Sequence, residues 1–486
     1  MKSGKKKMGW MMGFGGFSLL TILSGGSGSS MVGSKGGEMV LTQNSPAGTE
    51  RTHLDLRAVS FKKGPSIRPV RIYRVSTVVP WPRGLAWYGD RLIVLARGRH
   101  RRAGGLDPRI QDQAGTLFLL DPDLGEEVLP SSSPPLVGPD EPVSKPPSKT
   151  NGVIFARPQS PTFHLYDPSI APAEAHEIDR PYCSLVHDPA SQSFFICGFS
   201  GIDLPGSKFR KNATDSILRF DLRNHLWSVV ESHASQKVPV SALSKVVPNT
   251  FFPHHDPKTQ APPHGWLNGP DALCISGNSL FAAAKDNHLV VSYDLRALRK
   301  NPLAAAPPSR VILGPKQRIL VGKELRVIPV LGPSALTVYK GYLYVGYRTT
   351  SVVVRYPLDQ AGNLQRGKPG ELIAVFEPYD PKTRRSANLI DMAFNTKGEL
   401  FVSCSKEGRI WNIGKPDPSR VFQGNDQLKT LPTSAPPYAD LRILLGKKTA
   451  CGNILFDQKD RLFLCAGNYD TPSRKLAGVI YRIDPR

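Results

Sequence analysis

One pattern, repeated six times, constrains this chain more than any other feature: an apolar strand, a tight polar turn, a second apolar strand, and a third strand that usually ends in an acid. Its clearest copy is GPDALCISGNSLFAAAKDNHLVVSYD, residues 269–294, folded over Gly277-Asn278. Short runs of β-branched and aromatic residues bounded by Gly, Asn, Asp or Lys turns are what antiparallel hairpins require. The other copies are RGLAWYGDRLIVLA (83–96) with GTLFLLD (115–121), CSLVHDPASQSFFICG (183–198) with DSILRFD (215–221), SALTVYKGYLYVGY (334–347) with SVVVRYP (351–357), IDMAFNTKGELFVSC (390–404) with GRIWNI (408–413), and GNILFDQKDRLFLCA (452–466) with GVIYRID (478–484).

Six such units at intervals of 56 to 100 residues predict an all-β chain, a six-bladed β-propeller over residues 66–486. A blade ordinarily takes about forty to fifty residues, so inserted loops carry the surplus. Three stretches are Pro-rich in the required way: residues 129–149, 239–265 and 415–438. The sixth copy lacks an outer strand after Asp484, and the alternating segment SIRPVRIYRVSTV (66–78) is suited to supply it. Closure by this N-terminal strand removes an open sheet edge. A seventh blade stays open as the alternative; TFHLYDP (162–168) is either its trace or an extra strand of the first blade.

The blade texture, notably GPDALCISGNSLFAAA and IDMAFNTKGELFVSC, resembles the six-bladed group that includes NHL-repeat proteins, the gluconolactonase-like family and soluble quinoprotein sugar dehydrogenases. The resemblance covers most of residues 66–486 and speaks to architecture, since one fold hosts many activities. It directs attention to the residues at the start of each blade's first strand, including Asn388 in the fifth. The gluconolactonase-like resemblance implies that Asn268, Asp271, Asp391 and Asn453 form an oxygen-rich site of the kind calcium prefers, with Asp271 and Asp391 as the catalytic acids. Arg83 stands where that family has a glutamate. The quinoprotein resemblance implies a histidine base and arginines for cofactor carboxylates, a role open to Arg83, Arg97 and Arg348. No histidine stands at a blade entrance, and His187 falls inside a strand, where packing is its expected role.

Charge points elsewhere. Lys plus Arg exceed Asp plus Glu by 63 − 40 = 23, so acidic partners are attracted. Arg97, Lys285, Arg348 and Lys406 recur at the exit of the second strand in four copies, and RGRHRR (97–102) extends the first. With Arg83 they form a candidate basic rim for an anionic small ligand or an acidic protein partner. No nucleic-acid motif, phosphate-binding glycine loop, zincin helix or nucleophile elbow is present.

Residues 1–30 open with MKSGKKK and an apolar stretch through Leu23, an export-signal pattern. Left uncleaved, residues 8–23 are the chain's one membrane-anchoring segment. Residues 31–65 read as a linker. Export implies a periplasmic, cell-surface or extracellular location, with membership of an envelope complex as one outlet. Cys183 and Cys197 are 14 apart, as are Cys451 and Cys465, so each pair is a disulfide candidate in an oxidising compartment, with buried thiols as the alternative. His254, His255, Asp256 and His264 match no metal-ligand spacing, and Asn212 opens a glycosylation sequon. The expectation is an exported binding or assembly module working through its loop faces; the alternative is a cation-dependent lactonase-like or sugar-dehydrogenase-like enzyme at the channel mouth.

Overall fold

The computed structural model describes residues 71–79, 82–96, 115–128, 151–156, 182–198, 216–232, 267, 269–285, 288–300, 309–376, 387–405, 408–423, 427–428, 437–441, 450–467 and 478–485. The candidate signal, the linker before Arg71, the segment 162–168 and the His254–His264 cluster lie outside them, as do Asn212, Arg97, Asn268 and Lys406.

The described residues form six blades. After β1 (Arg71–Ser76), the first blade runs β2 (Pro82–Tyr88), β3 (Arg91–Ala96), β4 (Leu117–Leu120) and, past β5 (Glu126–Val128), β6 (Val153–Ala156). The second is β7 (Tyr182–Asp188), β8 (Ser193–Gly198), β9 (Ser216–Asp221) and β10 (Leu226–Ser232). The third is β11 (Pro270–Ser276), β12 (Ser279–Ala284), β13 (Leu289–Asp294) and, after helix α1 (Leu295–Lys300), β14 (Arg310–Leu313). A hairpin, β15 (Lys316–Val321) and β16 (Glu324–Pro329), precedes the fourth blade of β17 (Pro333–Tyr339), β18 (Tyr342–Tyr347), β19 (Val352–Pro357) and β20 (Gly370–Val375). β15 pairs in parallel with β20 and widens that sheet to six strands, an addition the repeat pattern does not announce. The fifth blade is β21 (Leu389–Phe394), β22 (Leu400–Cys404), β23 (Arg409–Gly414) and β26 (Ala439–Asp440), with the small hairpin β24 (Phe422–Gln423) and β25 (Gln427–Leu428) in its last insertion. The sixth is β27 (Ala450–Phe456), β28 (Leu462–Gly467) and β29 (Gly478–Asp484).

The sixth blade is completed by β1, which pairs antiparallel with β29 from Arg71↔Asp484 to Ser76↔Ile480, and β5 adds beyond it. Closure by the N-terminal strand is therefore as the sequence predicts. The first strands touch in the order β2, β7, β11, β17, β21, β27 and back to β2, so the ring is continuous.

Apolar residues divide among six clusters, one at each seam between neighbouring blades. Successive side chains of a strand point to opposite faces, so Ile93 and Leu95 pack toward the second blade while Leu92 and Val94 pack toward the sixth. Second strands such as RLIVLA and SLFAAA are consequently apolar at every position after the first, because both faces are covered. Ile72 lies in the seam between blades five and six. Replacing it with alanine is expected to cost about 2–4 kcal/mol in urea unfolding, whereas Arg71→Ala, at an exposed position of the same strand, should change stability by less than about 0.5 kcal/mol.

Candidate functional site at the ring mouth

All six first strands carry a register shift near their start, between Arg83/Leu85, Tyr182/Ser184, Pro270/Ala272, Pro333/Ala335, Leu389/Asp391 and Cys451/Ile454. A bulge adds a residue without a cross-strand partner and re-aims its neighbours. Repeated around a ring, it turns one short stretch of each blade toward the mouth. Among the described residues, the one before the strand is left-handed in three blades: Gly269 (φ 62), Gly332 (φ 66) and Asn388 (φ 51). Glycine carries no penalty there, and asparagine is among the side chains that tolerate it.

Polar residues at the mouth ends of the first and second strands stitch blade to blade. Ser184 Oγ accepts from Leu273 N at 3.1 Å, Ser334 Oγ donates to Leu389 O at 2.7 Å, and Ser403 Oγ donates to Gly452 O at 2.8 Å. Asp391 Oδ2 accepts from Ile454 N at 3.0 Å. Between blades one and three, separated by a whole blade, Arg83 Nη2 lies 3.8 Å from Asp271 Oδ1, with the side chains only 4% and 3% exposed.

The structure thus brings Arg83, Asp271, Asp391 and Asn453 into one neighbourhood. Asp391 is partly open to solvent yet closely surrounded by protein, and burial pushes its carboxyl up from 3.8 to about 6. Hydrogen bonds from the backbone of Ile454 and Met392, the Arg83 charge and the Asn453 side chain oppose that rise. Asn453 donates to the carboxylate and is itself buried, while its Oδ1 accepts no hydrogen bond among the described groups; the same holds for Asn388 Oδ1. A buried amide oxygen left unmatched is costly and calls for an explanation. One of the two, on Asn453, belongs to the side chain that also bonds the Asp391 carboxyl.

Of the four residues that the family resemblance implies for calcium, Asn268 lies outside the described residues and only two, Asp271 and Asp391, are acids. Among the described residues no three His, Cys, Asp or Glu side chains gather around one point. Arg83 brings a fixed positive charge to Asp271, where a cation would need the carboxylate for itself.

The rim residues that fall among the described ones lie on this face. Lys285 N donates to Gly269 O at 3.1 Å and Arg348 N to Gly332 O at 2.7 Å, so each second-strand exit sits against its own blade's entrance. His288, which the repeat pattern does not single out, belongs to the same face: Gly332 N donates to its Nδ1 at 3.2 Å. Its only sequence signal is its place in the turn after a second strand. His187, by contrast, is packed, stacked on Phe194 at 4.7 Å, and burial lowers its pKa.

The two candidate disulfides are not formed: Cys183, Cys197, Cys451 and Cys465 are free, buried thiols. The bulges explain the mismatch, since they set Cys197 opposite Ser184 and Cys451 opposite Ala466, one position off a direct pairing. Burial pushes the Cys451 thiol up to about 12 and raises those of Cys197 and Cys465, so none is poised to react.

No family model and no curated protein sequence matches the chain. Solved structures similar to it include the PQQ-bound aldose sugar dehydrogenase of Streptomyces coelicolor, at 12% identity and a TM-score of 0.39 over 85% of this chain and 96% of that one. A protein described as a putative gluconolactonase is 10% identical, with a TM-score of 0.37 over 85% and 92%. A putative oxidoreductase (glucose dehydrogenase) of Thermus thermophilus is 9% identical, with a TM-score of 0.40 over 85% and 100%. These are gluconolactonase-like and sugar-dehydrogenase-like propellers. The six blades described here rest on the strand pairing of this chain.

Two measurements probe the site. Arg83→Leu leaves a buried carboxylate without its cation and is expected to cost about 3–5 kcal/mol in urea unfolding, while the Arg83→Leu/Asp271→Leu pair recovers most of that loss. For Asp391, the raised folded-state pKa means the contribution to stability is fully present below about pH 4 and is lost as pH rises through about 6. The rise is worth at most about 3 kcal/mol, less the part screened by solvent. Unfolding free energies from pH 4 to pH 7 should therefore fall less steeply in Asp391→Asn than in the native chain.

Proposed function

We propose that this protein is a binding propeller that receives an anionic small ligand or an acidic protein face at its ring mouth. The observation that supports the reading is the backbone attachment of Lys285 and Arg348, on successive blades, to the entrances of their blades, beside a centre in which the Arg83 guanidinium accompanies the carboxylates of Asp271 and Asp391. Electrostatic attraction at such a mouth speeds encounter and selects the sign of the partner. The net charge of +23 acts in the same direction. An exported location, expected from residues 1–23, makes such a module available to partners outside the cytoplasm.

A second reading, a cation-independent acid–base enzyme on a small ligand in the channel, draws support from one feature: Asp391, with its carboxyl near neutrality beside the unmatched oxygen of Asn453. General acids and bases work best with pKa values near the operating pH. The sugar-dehydrogenase and gluconolactonase names belong to proteins that share the fold, and fold does not fix chemistry.

A labelled poly-glutamate peptide followed by fluorescence anisotropy tests the binding reading. The native chain should bind it with an affinity that falls as salt rises. Lys285→Ala/Arg348→Ala should weaken it about two- to thirtyfold, at about 0.2–1 kcal/mol for each of the two ionic contacts. The charge-matched control Lys340→Ala/Lys397→Ala, at exposed turns on the opposite face, should change it little. Equal losses in the two double variants would sink the assignment of the face.

A further inference from the structure

The hairpin turns of the blades lie on the face opposite the mouth, and there a cavity of about 530 Å³ opens between blades three and four. That is within the range of about 300–1,000 Å³ typical of small-molecule sites. One wall is the turn of the third blade at Asn278 and Ser279 together with the end of β13 and the start of β14; the other is the loop of residues 358–366 after β19.

The two walls are fastened to each other. Asn278 N donates to Ala361 O at 3.2 Å, and Ser279 Oγ bonds Asn363 Oδ1 at 3.1 Å. Gly277 (φ +53) and Gly362 (φ +84) let the backbones meet; a Cβ on either would come within 2.2 Å of Ala361 O or 2.1 Å of Ser276 O respectively. The loop is also tied internally, by Asp359 N to Asn363 O at 2.8 Å, Asn363 N to Asp359 Oδ1 at 2.8 Å and Gln365 N to Pro357 O at 2.9 Å. The cavity is therefore a preformed feature of the blade seam, and a preformed site spares a ligand the cost of ordering its walls.

Its charge is unbalanced. Three arginines line it, Arg296, Arg310 and Arg366, against two acids, Asp294 and Asp359. Asp294 is held by Nε and Nη2 of the Arg296 guanidinium, and Asp359 is occupied in bracing its own loop. Arg310 and Arg366 are exposed; bonding by Arg296, to which the Arg310 charge adds, holds the Asp294 carboxyl below its usual value. Ile312, Leu364 and the buried ring of Tyr293 supply an apolar wall. Two guanidiniums over a mixed polar and apolar floor match a small organic molecule with one phosphate or carboxylate and a hydroxylated body.

We propose that the cavity between blades three and four binds a sugar-sized organic anion through Arg310 and Arg366, independently of the ring mouth. The test is calorimetric titration of the full chain with glucose 6-phosphate, gluconate and inorganic phosphate at matched ionic strength. Saturable binding of glucose 6-phosphate or gluconate, tighter than that of inorganic phosphate, is the expected result, and which of the two wins distinguishes phosphate from carboxylate. Arg310→Ala and Arg366→Ala, both at exposed positions and checked for folding by circular dichroism, should each weaken it tenfold or more. Lys285→Ala/Arg348→Ala should leave it unchanged, which separates this site from the mouth. No heat with any of the three anions, or equal affinity in the native chain and both arginine variants, overturns the proposal.

Discussion

Burial of both faces of every second strand is the constraint on which the rest of this structure depends. A strand such as Leu92–Ala96 offers apolar side chains alternately to left and right, and neither set is covered unless a blade stands on each side. Six blades satisfy the condition only if the last meets the first. The pairing of β1 with β29 completes the last blade from the other end of the propeller segment, and the seam between blades six and one collects Val75, Val79, Phe463 and Ile480 from the two ends. Long insertions are tolerated between strands because they leave the seams intact.

Once the ring is closed, the mouth becomes a place where six equivalent backbone positions converge, and its chemistry is set by what each blade puts there. Identical bulges with different side chains make the site heterogeneous: an arginine, two serines, two aspartates and an asparagine contribute from different blades. Three of these groups, Ser184, Ser334 and Asp391, hold neighbouring blades together through a side chain–backbone bond. The Arg83–Asp271 pair differs in reaching past an intervening blade. A buried ion pair of this kind adds little net stability, since desolvation offsets attraction, but removing one partner is costly. It therefore acts as a constraint on what else can enter: a divalent cation would have to displace a guanidinium already committed to the same carboxylate.

Much of the fold was legible in the sequence because its signal is repetition. Each copy carries the same alternation and the same turn chemistry, and the missing outer strand at one end matched a spare strand at the other. The hairpin β15–β16 was not legible, because a single hairpin inside a long spacing has no second copy to be compared with. The same reasoning divides the site. Position within the repeat points at Asp271, Asp391, Arg83 and Asn453, and the fold brings these four side chains into one neighbourhood. The bulges were not legible, since a one-residue register shift leaves the apolar pattern readable while moving every side chain before it, and this is why Cys183 and Cys197 looked opposed and are offset. His288 was missed for a related reason: the turn it occupies lies near the entrance of the next blade, a neighbour that only the closed ring supplies.

The two faces of the ring divide by the same logic into different kinds of surface. At the mouth, strands begin with bulges and left-handed residues, so backbone groups are spent on inter-blade contacts and the free chemistry comes from side chains aimed inward. At the turn face, hairpins end in short loops whose shape is fixed locally, so a cavity arises only where a loop from one blade is clamped to the turn of the next. Between blades three and four the clamp is Gly277 against Gly362, a contact that any side chain at either position would break. A mouth built this way changes its ligand by substitution at six equivalent positions, whereas the seam cavity depends on one backbone contact and the arginines around it. The two surfaces can therefore diverge in sequence independently while sharing one scaffold.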